Sequence, residues 1–405
     1  MLKEGFTTTA LKAYIPQFVK EVTDYVTSST TFKGDQGLVN VTEAMGEITI
    51  YTASSSLQGH EIRSSFDSTF ASLYRHLDDS FIPINFILPG LPLPRNRRRD
   101  HAQRVMEELY GGVIERRRTE GNMNGDVDMI WNLMEARYKD GSYVPDSDIA
   151  RLMIALLMGG QHNTAASGAW ILLHLANQPH VMNQLYQEQI DVLGLDEQGE
   201  VKQLDWEGLQ KLTLNNSVIK ETLRLHSPIH SILRQVKSPM PVPGTRWIIP
   251  PTHTVLACPT FSARLEENFP SPLKWDPHRW QQPQQASSSS TTNNKDDEED
   301  EKLKIDYGFG KVSKAVGSPY LPFGAGRHRC VGEQYAYAQL GAIIATLVRL
   351  VKLEQIDPQA PVPATDFSVS LLSFLVCILG KVDYGRRGAR GQSPGVVELE
   401  RRTCD

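Results

Sequence analysis

The segment Pro319-Tyr320-Leu321-Pro322-Phe323-Gly324-Ala325-Gly326-Arg327-His328-Arg329-Cys330-Val331-Gly332-Glu333 carries the densest chemistry in the sequence. Gly324 and Gly326 permit backbone shapes that other residues resist. They let a loop fold tightly under a flat ligand and bring the peptide of Cys330 close to it. A thiolate at a helix start is stabilised by the amides there and by nearby Arg or His. That is the setting in which a cysteine stays deprotonated and binds iron. The alternative is a buried structural cysteine beside a glycine-rich turn.

Positioning such a loop needs a helical frame, and the apolar spacing supplies one. Glu333 to Leu350 reads as the helix that follows the loop. Leu11, Tyr14, Ile15, Phe18, Val19, Val22 and Val26 recur at helical spacing, with Pro16 marking a kink or a late start. Val41–Leu57, Ile62–Leu77 and 97–118 read as further helices. Between the last two lies an apolar, proline-broken loop from Phe81 through Leu88 to Pro94. Such a loop marks membrane contact or a ligand entrance, or is buried by its neighbours.

Asp146 to Leu175 is the longest helix the pattern supports. Its first half, Leu152 to Met158, is apolar on every side and therefore predicts a buried helix. Gly159-Gly160-Gln161-His162-Asn163-Thr164 interrupts it with polar groups that need partners or a nearby ligand. Glu221 and Arg224, three apart on the next strong helix, share a face and can pair. Met240 to Leu256 alternates like a short β element turning at Pro243-Gly244, and Trp275 to Trp280 reads as loop.

Bulk properties exclude several classes. The chain has 405 residues, 40% hydrophobic and 22% charged, with net charge -5, which gives no argument for nucleic acid. Its four cysteines, Cys258, Cys330, Cys377 and Cys404, show no zinc spacing and no disulfide framework. No stretch reaches the length of a membrane span or reads as a signal peptide. Residues 281–302 are low complexity and read as a surface loop.

Phe323-Gly324-x-Gly326-x-His328-Arg329-Cys330-x-Gly332 resembles the haem-binding loop of the cytochrome P-450 superfamily. Glu221, Arg224 and Arg279 match that superfamily's structural charge triad. The closer resemblance is to the fungal sterol 14α-demethylases. It rests on Leu157-Met158-Gly159-Gly160-Gln161-His162, Thr52 to Gly59, Pro83-Ile84-Asn85-Phe86, Leu91 to Pro94, His230 to Arg234, Met240 to Gly244 and Asp306 to Gly310.

The resemblance implies a mainly α fold with small β-sheets, one haem-thiolate monooxygenase domain over 1–405 that lacks its N-terminal part. It implies haem b with Cys330 as axial ligand, cradled by Phe323, Gly324 and Gly326, with Arg234 and His328 on the haem propionates. His162 matches the proton-relay position, followed by Asn163 and Thr164. Phe81, Pro83, Phe86, Ala155, Leu156, Gly159, Ile229, Ser231 and Ile232 match the substrate cavity. The implied reaction removes the 14α-methyl group of lanosterol or eburicol in three oxygenations, within ergosterol biosynthesis. An NADPH-dependent reductase supplies electrons, and the full-length protein sits on the cytosolic face of the endoplasmic reticulum membrane. A hydroxylase of another lipid and a non-catalytic haem-binding remnant are the alternatives.

Three departures from the family pattern stand out. Asn163 follows His162 where the family has a hydroxyl residue. Family segments that precede the first matched helix are expected ahead of Met1, which would leave the strands within 242–258 without partners. Residues 371–392 read as a foreign insertion, after which Ser393 to Arg402 resembles the family again.

Overall fold

The computed structural model describes residues 2–32, 36–65, 68–80, 84–85, 88, 90–122, 127–281, 318–357, 362 and 375–381. Phe81, Pro83 and Phe86, the low-complexity run beyond residue 281, Asp306 to Gly310 and Ser393 to Arg402 lie outside the described residues.

The helices, in chain order, are α1 Thr8–Ser28, α2 Val41–Ala53, α3 His60–Ser64, α4 Ser68–Asp78, α5 Pro94–Glu120 and α6 Met129–Glu135. They continue as α7 Asp146–Asn177, α8 Pro179–Leu193, α9 Trp206–Lys211, α10 Thr213–Leu225, α11 Pro259–Ser262 and α12 Glu333–Leu350. The strands are β1 Gln36–Asn40, β2 Ile232–Gln235, β3 Met240–Pro241, β4 Ile248–Ile249, β5 Thr254–Ala257, β6 Val351–Gln355 and β7 Leu375–Lys381. The fold is mainly helical, as the sequence predicts.

Local signals set most boundaries. Thr7 caps α1, whose body runs through Pro16 without ending, and Asn40 caps α2 through the amides of Thr42 and Glu43. The expected helix Val41–Leu57 becomes α2 followed by a wider π turn over Ser54–Gln58. The expected helix Ile62–Leu77 divides into α3 and α4. Asp146 and Asp148 occupy the first turn of α7, where the helix dipole favours them.

α7 is the spine. It packs against α2, α5, α10 and β6, while α12 packs against α1. Two apolar cores flank this spine. One joins α2, the C-terminal half of α7, α10 and α12; the other joins α1, α5, α6 and the N-terminal half of α7. Tyr335 of α12 anchors the second, with Phe6, Tyr14 and Phe18 around its ring and its hydroxyl 2.9 Å from Ser56 Oγ.

The sheets are small. β1, β7 and β6 form one antiparallel sheet with β7 in the centre, so part of the segment read as an insertion is a strand paired on both sides. β5 pairs with β2 in the register Ile232↔Ala257, and β3 pairs with β4. The expectation of unpartnered strands in 242–258 is thereby corrected: each finds one partner. Among the described residues both of these sheets stop at two strands, with Leu233, Ile248 and Leu256 exposed on them and Trp247 exposed just before β4.

Candidate active site

The cysteine loop is closed by its own backbone. The N–H of Cys330 donates to the carbonyl of Phe323 at 2.9 Å, and Gly324 and Gly326 turn the chain with φ of 71° and 65°. These are left-handed conformations in which a side chain is strained. Ile232 lies beside Gly324, 4.0 Å from where a β-carbon there would sit, so β2 borders the loop. Cys330, Gly326 and His328 are exposed, as is Arg234, whose Nη1 donates to the carbonyl of its neighbour Leu233 at 2.9 Å.

The sequence reading gave Cys330 a lowered pKa, and the structure reverses it. Burial of the sulfur by loop atoms pushes the thiol up, although the residue as a whole is exposed. The carboxylate of Glu333 adds to the rise, against the Gly332 amide and Arg329. The helix cannot offset burial because it starts three residues later, with Gly332 as N-cap. Arg329 is already engaged by Glu333 through two hydrogen bonds.

Behind the loop sits a buried charge network. Glu221 and Arg224 are fully buried and bond in parallel, Nη2 to Oε1 at 2.8 Å and Nε to Oε2 at 2.9 Å. Arg279 Nε donates to Glu221 Oε1 at 2.9 Å, as does the amide of Asp276 at 3.0 Å. Arg224 Nη1 reaches the carbonyls of Ala263 and Pro272. The network therefore fastens α10 to the loop 263–280. Burying these charges is tolerable only because every strong donor and acceptor is matched.

Aromatic contacts connect the network to the cysteine. Trp280 Nε1 donates to Glu221 Oε2 at 2.9 Å, and its ring lies 4.8 Å from Tyr320. The hydroxyls of Tyr320 and Tyr337 are 3.2 Å apart, and Tyr337 contacts Phe323 with centroids at 5.3 Å. Phe323 carries the carbonyl that holds the amide of Cys330. Spacing pairs Glu221 with Arg224 and the family resemblance adds Arg279, but neither points to this path. Trp280 stands next to Arg279 in sequence, and its indole N–H is the signal that was passed over.

α7 runs unbroken through Gly159 to Thr164, so the expected interruption does not occur. Nor is its first half buried on every side. Ala155, Gly159 and His162, four and three residues apart, form an exposed strip, joined by Gly160, while Leu156 is half-buried. A β-carbon at Gly159 or Gly160 would meet nothing within 4 Å. The polar groups other than His162 turn inward or onto the helix itself. Gln161 Nε2 donates to Gly46 O at 2.6 Å, Asn163 Nδ2 to Gly159 O at 3.1 Å, and Thr164 is buried.

Asp78, the last residue of α4, lies within electrostatic reach of His162, a relation the sequence does not signal. Burial raises its carboxyl above the usual range, and the charge of His162 opposes the rise. The two residues thus sense one another across α4 and α7, although an Asp in a helical stretch gives no sequence signal. Of the residues expected to line a cavity, Ile229 is exposed, Ser231 is half-buried, and Ile232 is half-buried beside Gly324 of the cysteine loop.

The cytochrome P450 family model matches residues 1–375. A sterol 14-alpha demethylase of Gibberella zeae is 62% identical over 368 residues, which is 91% of this chain and 69% of that protein. A sterol 14-alpha demethylase of Aspergillus flavus is 55% identical over 336 residues, 83% of this chain and 65% of its own. The chain therefore spans about two thirds of the length of these relatives. Among solved structures, a retinoic-acid-bound cyanobacterial cytochrome, CYP120A1, aligns with TM-score 0.70 at 17% identity, covering 94% of this chain and 77% of that one. At that identity the likeness speaks to the fold.

Proposed function

Since the chain belongs to the cytochrome P450 family, among its sterol 14-alpha demethylases, we propose that it binds haem through Cys330 and removes the 14α-methyl group of lanosterol or eburicol. The observation that carries this is the Cys330 loop, closed on Phe323 and tied through Tyr337, Tyr320 and Trp280 to the buried Glu221 carboxylate.

The residues present fit such a group. α7 is covered along much of its length yet bare in the middle, where Ala155, Gly159 and Gly160 expose an apolar strip free of β-carbon crowding. Haem bound there by thiolate supplies the dioxygen activation that side chains cannot. Ligation to the iron would hold the Cys330 sulfur as a thiolate, offsetting the burial that otherwise raises it. Arg234 and His328 offer exposed donors to the propionates.

Each oxygenation of the methyl carbon consumes one dioxygen, two electrons and two protons, inserts one oxygen atom and releases one water. Electrons come from NADPH through a separate reductase. Proton supply falls to the chain. The Asp78 carboxyl holds a proton more tightly than an exposed aspartate. It passes that proton to the exposed imidazole of His162. Asn163 spends its amide on Gly159 and gives no proton. The half-buried Leu156, Ser231 and Ile232, with Ala155, Gly159 and Ile229, offer the largely apolar wall that a sterol skeleton requires.

No helix among the described residues is long and apolar enough to cross a membrane. Residence on the cytosolic face of the endoplasmic reticulum is part of the same proposal. The deciding experiment is a carbon monoxide difference spectrum of the reduced, haem-reconstituted chain, followed by lanosterol turnover with a reductase. A thiolate-type band that Cys330→Ser abolishes is expected. Its absence from the unaltered chain overturns the haem reading, and a band without formate release overturns the demethylation reading alone.

A further inference from the structure

Away from the haem site, two histidines meet inside the core. His174 Nε2 and His226 Nε2 are 2.8 Å apart. Each ring is stacked on a tryptophan: His226 on Trp170 at 3.9 Å with planes 5° apart, His174 on Trp275 at 4.7 Å with planes 1° apart. Trp170 and His174 are one turn apart on α7, and His226 is the C-cap of α10. Both histidines are buried.

The place of this pair in the fold gives it leverage. Trp275 Nε1 donates to Thr222 Oγ1 at 3.0 Å, and the next amide, Asp276 N–H, donates to Glu221 Oε1 at 3.0 Å. The loop that brings Arg279 to Glu221 is thus held from below by the His174 ring. We propose that His174 and His226 are a positioning pair, which couples the register of α7, the helix on the oxygen side, to the charge network behind Cys330. The proposal rests on the reading of Cys330 as the iron ligand.

Chemistry restricts how the pair can work. A bond between two Nε2 atoms needs one ring to donate and the other to accept. In the neutral pair the donor carries its hydrogen on Nε2 and the acceptor carries its own on Nδ1. Protonating both rings places two N–H groups against each other and breaks the contact. The charged or titratable groups that act on His226 are His174 itself, Arg264 and Arg224, and Arg264 Nη2 holds the carbonyl of Leu225. From α7 and the loop, Trp170 and Trp275 face the rings.

Burial lowers the pKa of His174 to about 3 and pushes that of His226 well below its ordinary value. The folded chain therefore binds fewer protons here than the unfolded chain, so the pair is intact at neutral pH and weakens as pH falls below the ordinary histidine range.

The test uses the full chain with haem and three variants, His174→Phe, His174→Gln and His226→Gln. The thiolate fraction of the reduced carbon monoxide complex is recorded against pH, alongside tryptophan fluorescence of the haem-free protein. His174→Phe keeps the ring and loses the bond; haem affinity about tenfold weaker and a smaller thiolate fraction at neutral pH are expected. His174→Gln restores a hydrogen bond that cannot titrate. It should recover the fraction, and its acid loss of the thiolate band should come at lower pH than in the unaltered chain. The acid change in fluorescence should shrink in both Gln variants. If all three keep the original fraction and acid midpoint, or lose only thermal stability, the pair does not position the cysteine loop. If the unaltered chain gives no thiolate band, the haem reading fails first.

Discussion

Trp280 donates its indole N–H to Glu221 Oε2 at 2.9 Å, and this one bond couples the buried charge network to the cysteine loop. Among the described residues Glu221 accepts five hydrogen bonds, from Arg224 twice, Arg279, Asp276 and Trp280. Trp280→Phe keeps the contact with Tyr320 and deletes one donor to a buried charge. The expected cost is about 1.5–3 kcal/mol, the range for a bond to a charged group. Urea unfolding of the haem-bound chain measures it, and the thiolate fraction should fall in parallel.

Removing a charge is harsher. Arg224→Ala leaves Glu221 buried at full depth with its closest partner gone. A loss of about 3–5 kcal/mol is expected, enough to remove soluble, haem-binding protein. Arg224→Lys should rescue little, since the parallel two-bond geometry needs a guanidinium. Soluble yield and denaturant midpoints compare the two.

How much of this was legible in the sequence depends on distance along the chain. The loop 323–332 could be read because its glycines and its cysteine are neighbours, and α12 because its apolar positions repeat without a break. Glu221 and Arg224 were legible as a helical pair. Their depth, and the carbonyls of Ala263, Pro272 and Lys274 that complete Arg224, were not, because those acceptors belong to backbone that any sequence provides. Asp78 escaped because its partner His162 lies two helices away. The apolar run Leu152–Met158 misled: a helix buried on all sides and one with a ligand-facing strip have the same composition, and only the packing of its neighbours separates them.

A second charge lock ties α5 to α3 and to the N-cap of α6. Arg117 bonds in parallel to Asp128, with Nη1 and Nη2 each at 2.8 Å, and to Glu61 through Nε at 2.9 Å and Nη2 at 2.7 Å. Gly59 passes beneath it at φ 85°, and a β-carbon there would come within 2.3 Å of Arg117 Nη2. Gly59→Ala therefore meets both backbone strain and a clash. A loss of about 2–4 kcal/mol is expected from strain plus the displaced guanidinium. Asp128→Asn should cost a similar amount with the backbone untouched, and thermal unfolding of both variants separates strain from charge.

The Asp78–His162 relation predicts a pH signature. Burial raises the Asp78 carboxyl in the folded chain, so between its ordinary and its raised pKa the folded state binds more protons than the unfolded state. Stability from this group therefore falls as pH rises through that window. His162 opposes the rise, so His162→Phe should lift Asp78 further and extend the fall to higher pH. Denaturant midpoints across the mildly acidic range read this directly. An unchanged profile in the variant would show that the imidazole charge does not reach the carboxyl.

On the proposed haem reading, the residue after His162 bears on proton supply, and here it is Asn163. Its side-chain amide donates to Gly159 O at 3.1 Å within the helix, while Ser167 Oγ donates to its backbone carbonyl at 2.8 Å. Thr164 cannot take its place, because it lies about 100° further round the helix and is buried. Asn163→Thr places a hydroxyl, both donor and acceptor, beside His162. General acid–base assistance contributes about 100-fold or more when fully positioned. A hydroxyl that extends an existing relay should give a smaller share: roughly two- to tenfold faster sterol turnover, with less peroxide released per NADPH consumed. The two rates are measured together in the reductase-coupled assay. Faster turnover with unchanged peroxide would place the gain in substrate binding, and no change in either would show that proton supply does not limit this chain.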